Sequence, residues 1–309
     1  MKISNISEDI NINLAKSVLT VGTFDGVHKG HRKIIDKLIS AAKKHNAESV
    51  LLTFQPHPRK IIFPDDKNLI LINTPEEKAK LLKKTGIDRL IIMPFTKEFS
   101  QLSSCEFIEQ IVFKKLNAKH LIVGYDHRFG KDRLGDFEKL KQCTLPFGID
   151  VEKVDVYMQN GENISSTKIR NAILQGNIQK ANDFLSYKFY ISGKVTKGQG
   201  IGRKLGFPTA NILIKNKEKL LPKNGVYSVD VEIDKRIFAG MINIGNNPTV
   251  KSDSHRNIEV NIFDFDNDIY NKDIAVFFNR FIRNEIKFNN LQELRIQLLN
   301  DKRKITSEN

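Results

Sequence analysis

Only two cysteines occur among the 309 residues, Cys105 and Cys143. Neither lies in a CxxC or CxxH pattern, which argues against a zinc site, and two thiols are too few for a disulfide framework, which fits a reducing compartment. No window approaches the roughly 18 apolar residues of a membrane span, and the first residues lack the long apolar core of a signal peptide. These absences predict a soluble, cytoplasmic protein without a membrane partner.

The chain also lacks a basic tail and any long run of like charge. Its 50 lysines and arginines nevertheless exceed its 36 acidic residues, for a formal net charge of +14. Divided after Phe184, the chain carries a net +7 on each side. A nucleic-acid-binding protein concentrates such charge on one face, whereas an even spread is typical of a solvated surface. Nucleic-acid binding is therefore the weaker alternative, and it predicts an affinity that falls steeply with salt.

In the first half, short and nearly continuous apolar runs alternate with helical patterns. The runs predict strands at Ser17–Val21, Ser49–Phe54, Arg89–Met93 and His120–Gly124, and the patterns between them predict helices at Arg32–Lys43, Glu76–Thr85 and Cys105–Leu116. This alternation indicates an α/β domain with a parallel sheet and helices on both faces. Ligands of such sheets bind at the carboxyl ends of the strands.

The second half is patterned differently. Apolar residues alternate with polar ones in Asn224–Asp234, and Phe238–Ile244 and Ile258–Phe263 are further predicted strands separated by Gly- and Asn-rich turns. A helix is predicted near Leu291–Leu299, with Leu291, Leu294 and Leu298 on one stripe. This pattern predicts a small antiparallel barrel or sandwich followed by a C-terminal helix. We expect two domains, residues 1–184 and 185–309.

The segment Gly22–His31 reads GTFDGVHKGH and lies between a predicted strand and a predicted helix. Glycines let backbone amides approach a ligand closely, and a helix N-terminus favours a phosphate. His28 and His31 are three residues apart, so they share a helix face and can donate to a phosphoryl group. An N-capped helix with surface histidines is the alternative. No GxxxxGK[ST] string occurs, which argues against a P-loop mechanism.

This segment resembles the HxGH signature of the nucleotidylyltransferase superfamily, whose members move AMP from ATP onto an acceptor phosphate. TFQPHPR at Thr53–Arg59, GYDHRFGKDRLGD at Gly124–Asp136 and ISSTKIR at Ile164–Arg170 are similar to one branch, the adenylyltransferase module of bacterial bifunctional riboflavin kinase/FAD synthetases. The resemblance implies a Rossmann-like domain. It also implies ATP-binding residues, namely Gly22, Phe24, Asp25, Gly30, Ser166, Thr167 and Arg170. The flavin-binding residues it implies are Pro56, His57, Pro58, Arg59, Asp126 and Arg128.

One position departs from that branch, which usually has Phe where this chain has His127. The change puts a flavin contact or local packing in question and leaves Asp126 and Arg128 in place. Taken alone, SSTKIR is more typical of a plain helix N-cap than of a phosphate site.

The segment Gly198–Asn211 reads GQGIGRKLGFPTAN. Its glycines predict a loop that folds over a ligand, and Lys197, Arg203 and Lys204 bring positive charge to it. Thr209 and Asn211 are two apart, so in a strand they point to one face, where their oxygens can bind Mg²⁺. As a bare T-x-N pair they are more typical of an ordinary polar pair in a turn or strand.

The whole string is very close to the signature of riboflavin kinases, supported by NGVY at Asn224–Tyr227 and NIGNNPT at Asn243–Thr249. This resemblance implies ATP binding by the residues Lys197, Gly198, Gly202, Arg203 and Gly206, flavin binding by Asn243 and Arg283, and Mg²⁺ at Thr209 and Asn211. Asn284 replaces the usual Pro after Arg283, which could loosen a flap over the flavin.

Glu259 is the predicted general base. It shares one strand face with Asn261, opposite Ile258, Val260 and Ile262, and a carboxylate beside a γ-phosphate can accept the proton of an alcohol. Without the family resemblance, a solvated strand-face glutamate would be the simpler interpretation.

The sequence therefore predicts a bifunctional enzyme that phosphorylates riboflavin to FMN and then adenylylates FMN to FAD. Its ligands are ATP, riboflavin, FMN, FAD and Mg²⁺, with no nucleic acid, membrane or obligatory protein partner expected. The alternatives are a chain with one inactive module and an aminoacyl-tRNA synthetase-like enzyme, which would leave the second half unexplained.

Overall fold

The computed structural model describes residues 1–5, 14–65, 69–125, 130, 136–198, 200–246 and 256–307, with residue 201 known by its backbone alone. The chain divides into two compact units, Met1–Ser166 and Thr167–Asn309. The predicted partition after residue 184 lies 18 residues further along the chain than this division, and it stays a prediction.

The first unit is built on a six-stranded sheet. Its strands are β1 (Lys2–Asn5), β2 (Ser17–Val21), β3 (Glu48–Gln55), β4 (Arg89–Pro94), β5 (Ala118–Gly124) and β6 (Asp150–Val154). They are ordered β1-β4-β3-β2-β5-β6, and every neighbouring pair is parallel. The predicted parallel sheet is confirmed, and the central strand β2 is buried along its whole length.

Helices cover both faces of this sheet. They are α1 (Lys29–Lys44), α2 (Pro58–Ile62), α3 (Pro75–Lys83), α4 (Lys97–Ser100), α5 (Ser104–Phe107) with a π-helical continuation (Ile108–Lys115), and α6 (Phe137–Thr144) with a 3₁₀ turn (Leu145–Phe147). Leu19 of β2 packs in one apolar cluster with Ile111 of the π-helix, whereas Val18 packs in the other with Leu38 of α1. Alternate residues of β2 thus bury side chains in two separate cores. A short hairpin, β7 (Met158–Gln159) and β8 (Glu162–Asn163), follows β6.

Cys105 of α5 and Cys143 of α6 form a disulfide that joins the two helices. From the sequence, two thiols were too few for a disulfide framework, and they lie 38 residues apart in the chain. Both cysteines lie on helices that pack on the same face of the sheet, and this packing brings their Cα atoms to 4.8 Å. A single cross-link is not a disulfide framework, but the thiols are not free.

The second unit is a closed barrel with the strand order β10-β13-β12-β11-β14-β9. The strands are β9 (Tyr190–Thr196), β10 (Thr209–Leu213), β11 (Gly225–Ile233), β12 (Arg236–Asn246), β13 (Arg256–Ile262) and β14 (Asp273–Arg283). The helices are α7 (Ser166–Leu174), α8 (Ile178–Leu185), α9 (Ile201–Lys204) and α10 (Leu291–Thr306). Every ladder is antiparallel, which confirms the barrel alternative over the sandwich.

Helix α10 packs on the barrel through residues further along the chain than the sequence suggested. Leu291 is 55% exposed, whereas Leu298 and Ile305 join the apolar cluster on the barrel wall. The helix is fixed by Asp301, which is buried and accepts hydrogen bonds from Nε and Nη2 of Arg283 on β14. Leu291 lies on the same helix stripe as Leu298 and Ile305, but it is exposed because the barrel cluster takes its residues from the later turns of the helix.

None of the helices in the described part of the chain is sufficiently long and apolar to traverse a membrane.

Replacing Tyr227 with Phe tests the centre of the barrel. Tyr227 is fully buried, and its hydroxyl donates to the carbonyl oxygen of Lys223 at 2.5 Å. Burial raises the pKa of this phenol, so the hydroxyl stays protonated and can donate this hydrogen bond. The variant leaves a carbonyl unpaired, and we expect its unfolding free energy to fall by about 1–2 kcal/mol.

Urea unfolding followed by circular dichroism measures the change. Tyr270→Phe is the matched control, because Tyr270 is 40% exposed and should unfold as the parent protein does. Equal stability of the two variants would contradict the expected contribution of this hydrogen bond to the free energy of unfolding.

Candidate active sites

Three of the motif segments leave neighbouring strands at the same edge of the parallel sheet. The segment at Gly22–His31 follows β2, Thr53–Arg59 spans the end of β3, and the segment after Gly124 follows β5. Since β2 lies between β3 and β5 in the sheet, the three segments emerge side by side. This is the edge at which α/β sheets bind ligands.

The two predicted catalytic histidines form one unit at the start of α1. His28 is the N-cap, and its Nδ1 accepts a hydrogen bond from the backbone amide of His31 at 3.3 Å. The two rings stack with centroids 3.6 Å apart and planes 15° apart. Because Nδ1 of His28 is an acceptor, its neutral imidazole carries the proton on Nε2. Nδ1 of His31 is buried and has no hydrogen-bond partner among the described residues.

The other predicted ATP residues of this segment shape the turn that holds the histidines. Phe24 is buried with φ of 48°, and its ring lies 4.9 Å from that of His31. A Cβ on Gly22 would lie 3.0 Å from the Phe24 ring, and one on Gly30 would lie 3.2 Å from the His28 ring. A side chain at either position would therefore press against the neighbouring ring.

Asp25 is buried beneath the same turn. Its carboxylate accepts hydrogen bonds from the backbone amides of Ile72 at 2.9 Å and Asn73 at 3.3 Å. Its carbonyl oxygen accepts the hydroxyl of Ser166 at 2.8 Å. The structure thus brings Asp25 and Ser166 together, and both contacts position the backbone of the turn.

Two side chains at this site, His31 and Lys78, have lowered pKa values. Burial, the nearby His28 and the ammonium of Lys78 all lower the pKa of His31 well below its usual value, so His31 is neutral at pH 7 in the ligand-free protein. Burial also lowers the pKa of Lys78 to about 8, although Asp25 opposes this effect. Lys78 thus remains mostly protonated at pH 7, beside a neutral imidazole.

The predicted flavin residues after β3 lie near the surface. Pro56 and Arg59 are exposed, while His57 and Pro58 are half-buried. His57 is the N-cap of α2, and its Nδ1 accepts the Arg59 amide at 3.2 Å.

The remaining predicted residues of the first motif set stay predictions. Asp126, His127 and Arg128 lie outside the described residues. Thr167 and Arg170 belong to the second unit, where Nη2 of Arg170 donates to the Thr167 hydroxyl at 3.4 Å.

The second candidate site is a row of polar side chains across three strands of the barrel. Glu259 of β13 pairs directly with Asn211 of β10 on one side and with Asn243 of β12 on the other. Directly paired residues place their side chains on one face, with Cβ atoms about 5 Å apart. Ile258 and Val260 are buried on the opposite face, as the alternation predicted.

Glu259 is held within this row by two hydrogen bonds. Its Oε1 accepts from Nδ2 of Asn257 at 2.6 Å, and its Oε2 accepts from the hydroxyl of Thr209 at 3.4 Å. The carboxylate therefore has a fixed orientation beside the predicted metal ligands Thr209 and Asn211.

The glycine-rich loop approaches this row closely. A Cβ on Gly198 would overlap the side-chain amide of Asn211, and one on Gly202 would overlap the carbonyl oxygen of Phe207. Gly206 has a φ of +81°, which favours glycine. Lys197 and Arg203 are exposed along the same loop. Gly198 thus lies against the Asn211 side chain of the strand, and Gly202 lies against the Phe207 backbone within the loop.

Arg283 is the predicted flavin residue with a clear internal partner. Its guanidinium is paired with the buried Asp301 of α10, so its first role in this structure is to attach the helix to the barrel. A flavin contact by Arg283 or by the half-buried Asn243 stays a prediction.

Both halves of the chain match known protein families. A family model described as FAD synthetase matches residues 10–168, and one described as riboflavin kinase matches residues 185–308. The bifunctional riboflavin kinase/FMN adenylyltransferase of Escherichia coli K12 is 36% identical over 285 residues, which cover 92% of this chain and 90% of that protein. Its counterpart from Buchnera aphidicola subsp. Schizaphis graminum is 38% identical over 291 residues, covering 93% and 92%.

A crystal structure from Streptococcus pneumoniae, described as a macrolide-efflux protein, has the same fold. It superposes with a TM-score of 0.90 at 34% identity, and the match covers 98% of both chains.

Fold, sites and comparisons together define a transferase with two ATP-using chemistries, nucleotidyl transfer and phosphorylation. The chain belongs to the family of bifunctional riboflavin kinase/FMN adenylyltransferases. It phosphorylates riboflavin with ATP to give FMN, and it transfers AMP from ATP to FMN to give FAD and pyrophosphate.

Sequence reasoning missed two charged residues. Lys78 lies in a predicted helix rich in exposed charge, and only its position four residues into that helix distinguishes it from its neighbours. Asp301 lies beyond the predicted end of the last helix. Neither carries a local signal, because each takes its partner from a distant part of the chain.

Replacing Gly198 with Ala tests the close approach of the loop to the strand. The new methyl group displaces the Asn211 amide, so we expect FMN formation to fall about tenfold or more, while FAD formation from supplied FMN is unchanged. Both rates are measured by chromatography of the three flavins.

The double variant with Asn211→Ala provides the control. If the methyl group acts through Asn211, adding it to Asn211→Ala causes little further loss. Fully additive losses would show that Gly198 acts by another route.

Proposed function

We propose that the stacked histidines at the start of α1 are the site of adenylyl transfer. The observation that carries this proposal is the pairing itself, in which His28 caps the helix through Nδ1 and His31 keeps a buried, unpartnered Nδ1. Attack of the FMN phosphate on the α-phosphorus of ATP brings two polyanions together. Donors fixed at that point stabilise the charge that develops in the transition state.

The low pKa of His31 suits this task. Burial costs less free energy for a neutral imidazole than for a charged one. A polyphosphate that binds nearby favours the protonated form of the imidazole. No covalent intermediate is required, since positioning and charge stabilisation carry the rate. Ser166, Thr167 and Arg170 are the further candidates for ATP phosphate contacts, and Pro56–Arg59 with Asp126 and Arg128 for the flavin.

For the kinase reaction, we propose Glu259 as the general base. Its two hydrogen bonds leave the carboxylate oriented on the polar face of β13. There it can accept the proton of the riboflavin 5′-hydroxyl as that oxygen attacks the γ-phosphorus. The loop with Gly198, Gly202 and Gly206 and the cations Lys197 and Arg203 provides the proposed ATP contacts.

We propose that Mg²⁺ serves both reactions and that Thr209 and Asn211 hold it in the barrel. A hydroxyl oxygen and an amide oxygen are hard donors of the type Mg²⁺ prefers, and this metal takes most of its ligands from phosphates and water. The Thr209 hydroxyl donates a hydrogen bond to Glu259, and its oxygen keeps lone pairs that can bind a cation. When bound, Mg²⁺ neutralises polyphosphate charge.

The two activities are proposed to follow the partition made from the sequence, with adenylyl transfer in residues 1–184 and phosphorylation in 185–309. The matched ranges 10–168 and 185–308 support this partition. We propose the cytoplasm as the place of action, where ATP is available for both steps.

Replacing His31 with Ala tests the first assignment. Loss of a preorganised donor costs about 10²- to 10³-fold in rate, so FAD formation from FMN should fall by that amount. FMN formation from riboflavin by the same chain should be unchanged, which provides the internal control. Equal loss of both activities would contradict the assignment.

Replacing Glu259 with Gln tests the second assignment, because Gln keeps the shape and an acceptor oxygen for Asn257. A missing general base costs about 10²- to 10⁴-fold, so FMN formation should fall by that factor while supplied FMN is still adenylylated. Asp264→Asn is the matched control, since Asp264 is 90% exposed. An active Glu259→Gln kinase would exclude this residue as the base.

A chain with one inactive module is distinguished in the same assay of the unaltered protein. FMN that accumulates without FAD indicates an inactive adenylyltransferase, and absence of FMN indicates an inactive kinase.

A further inference from the structure

Lys78 connects two of the motif segments at the edge of the parallel sheet. Its Nζ donates to the backbone carbonyl of Thr23 at 2.9 Å and to the hydroxyl of Thr53 at 3.1 Å. Thr23 lies in the turn that leads to His28 and His31, and Thr53 lies near the end of β3. One ammonium group therefore joins the histidine turn to the neighbouring strand.

The start of α3 is built to hold Lys78 at this point. Thr74 and Glu77 form a reciprocal capping box, in which each side chain accepts the other's backbone amide. The two residues just before the helix, Ile72 and Asn73, donate their amides to Asp25. Residues 72–78 thus hydrogen-bond to the histidine turn at two points, Asp25 and Thr23.

Lys78 also brings a positive charge close to His31. The titratable groups on other elements that interact with it are Asp25 in the turn and His31 at the start of α1. Asp25 favours its protonated form, and Lys78 in turn disfavours the protonated form of His31. An ammonium fixed by two hydrogen bonds needs no reorganisation when a phosphate arrives.

Resting on the proposed adenylyl-transfer site, we propose that Lys78 is a positioning residue of that site, which fixes the Thr23–Asp25 turn and supplies a positive charge near His31. It acts through the turn and through the imidazole rather than by contact with the reacting atoms. Its chemistry therefore favours a ligand with concentrated negative charge, such as a nucleoside triphosphate.

The charge of Lys78 gives the proposal a signature in pH. With a pKa of about 8, the ammonium is present at pH 7 and is lost as pH rises through 8. The specificity constant for ATP in FAD formation should therefore decline above about pH 8 in the unaltered enzyme, since kcat/KM reports ionisations of the free enzyme. Lys78→Arg keeps its charge throughout, so this decline should move to higher pH.

The experiment compares three variants of the full chain across pH 6.5–9.5. Lys78→Met removes two hydrogen bonds from a charged donor, and we expect FAD formation at pH 7 to fall about 10- to 100-fold. Lys78→Arg should recover part of that loss. Lys80→Met is the matched control, because Lys80 is exposed on the same helix, and it should behave as the unaltered enzyme does.

The possible results separate the proposal from a purely structural role. FAD formation by Lys78→Met within twofold of the parent rate would overturn it. Equal losses in Lys78→Met and Lys78→Arg, with the alkaline decline unmoved, would also overturn it, because a role in holding the fold alone does not depend on the charge.

Failure of the proposed site itself gives a different result. If His31→Ala keeps FAD formation, the adenylyl-transfer site lies elsewhere, whatever Lys78 does. FMN formation by the second unit, measured on the same samples, should be unchanged in every Lys78 variant.

Discussion

The hydrogen bond between the His31 amide and Nδ1 of His28 is the contact on which the first site depends. It makes His28 the cap of α1, so one side chain both starts the helix and presents its Nε2 proton at the amino end. The same bond sets the second ring parallel to the first at 3.6 Å. Helix start and candidate catalytic pair cannot be separated, because the residue that satisfies the helix is also the residue proposed for the chemistry.

In the barrel, strand register has the corresponding role. Thr209, Asn211, Asn243 and Glu259 come from three strands, yet the ladders of β10, β12 and β13 put them on one face. A slip of one residue in β13 would turn Glu259 inward and expose Val260. Burial of the apolar face therefore fixes the polar face, and the stability of the barrel core maintains the geometry of the site.

Much of this arrangement could be predicted from the sequence, because periodicity and spacing are local. The strand Ser17–Val21 has the predicted bounds, and the alternation around Glu259 gave the correct face. Predictions were poorer where a distant partner decides the outcome. Leu291 fits the apolar stripe of its helix but is exposed, because the barrel wall takes its apolar contacts from later turns of that helix, at Leu298 and Ile305.

The hydrogen-bond partners of Asp25 could not be predicted from the local sequence either. The family resemblance implies that Asp25 belongs to the ATP site, which stays a prediction; in the structure its carboxylate accepts two backbone amides. A carboxylate facing the phosphates would repel them, but one neutralised by amides and by Lys78 is harmless. The contacts that satisfy Asp25 come from Ile72 and Asn73, more than forty residues away, and no spacing rule identifies them.

The two proposed sites thus treat a carboxylate in opposite ways. Adenylyl transfer joins two phosphates, so a carboxylate at the proposed site has to be kept from the reacting groups, and the backbone amides hold that of Asp25. Phosphorylation deprotonates an alcohol, so a carboxylate has to face the substrate, and Asn257 and Thr209 orient Glu259, the proposed base. A single site could not keep its carboxylate both neutralised and available, which is a physical reason for one chain to carry two sites.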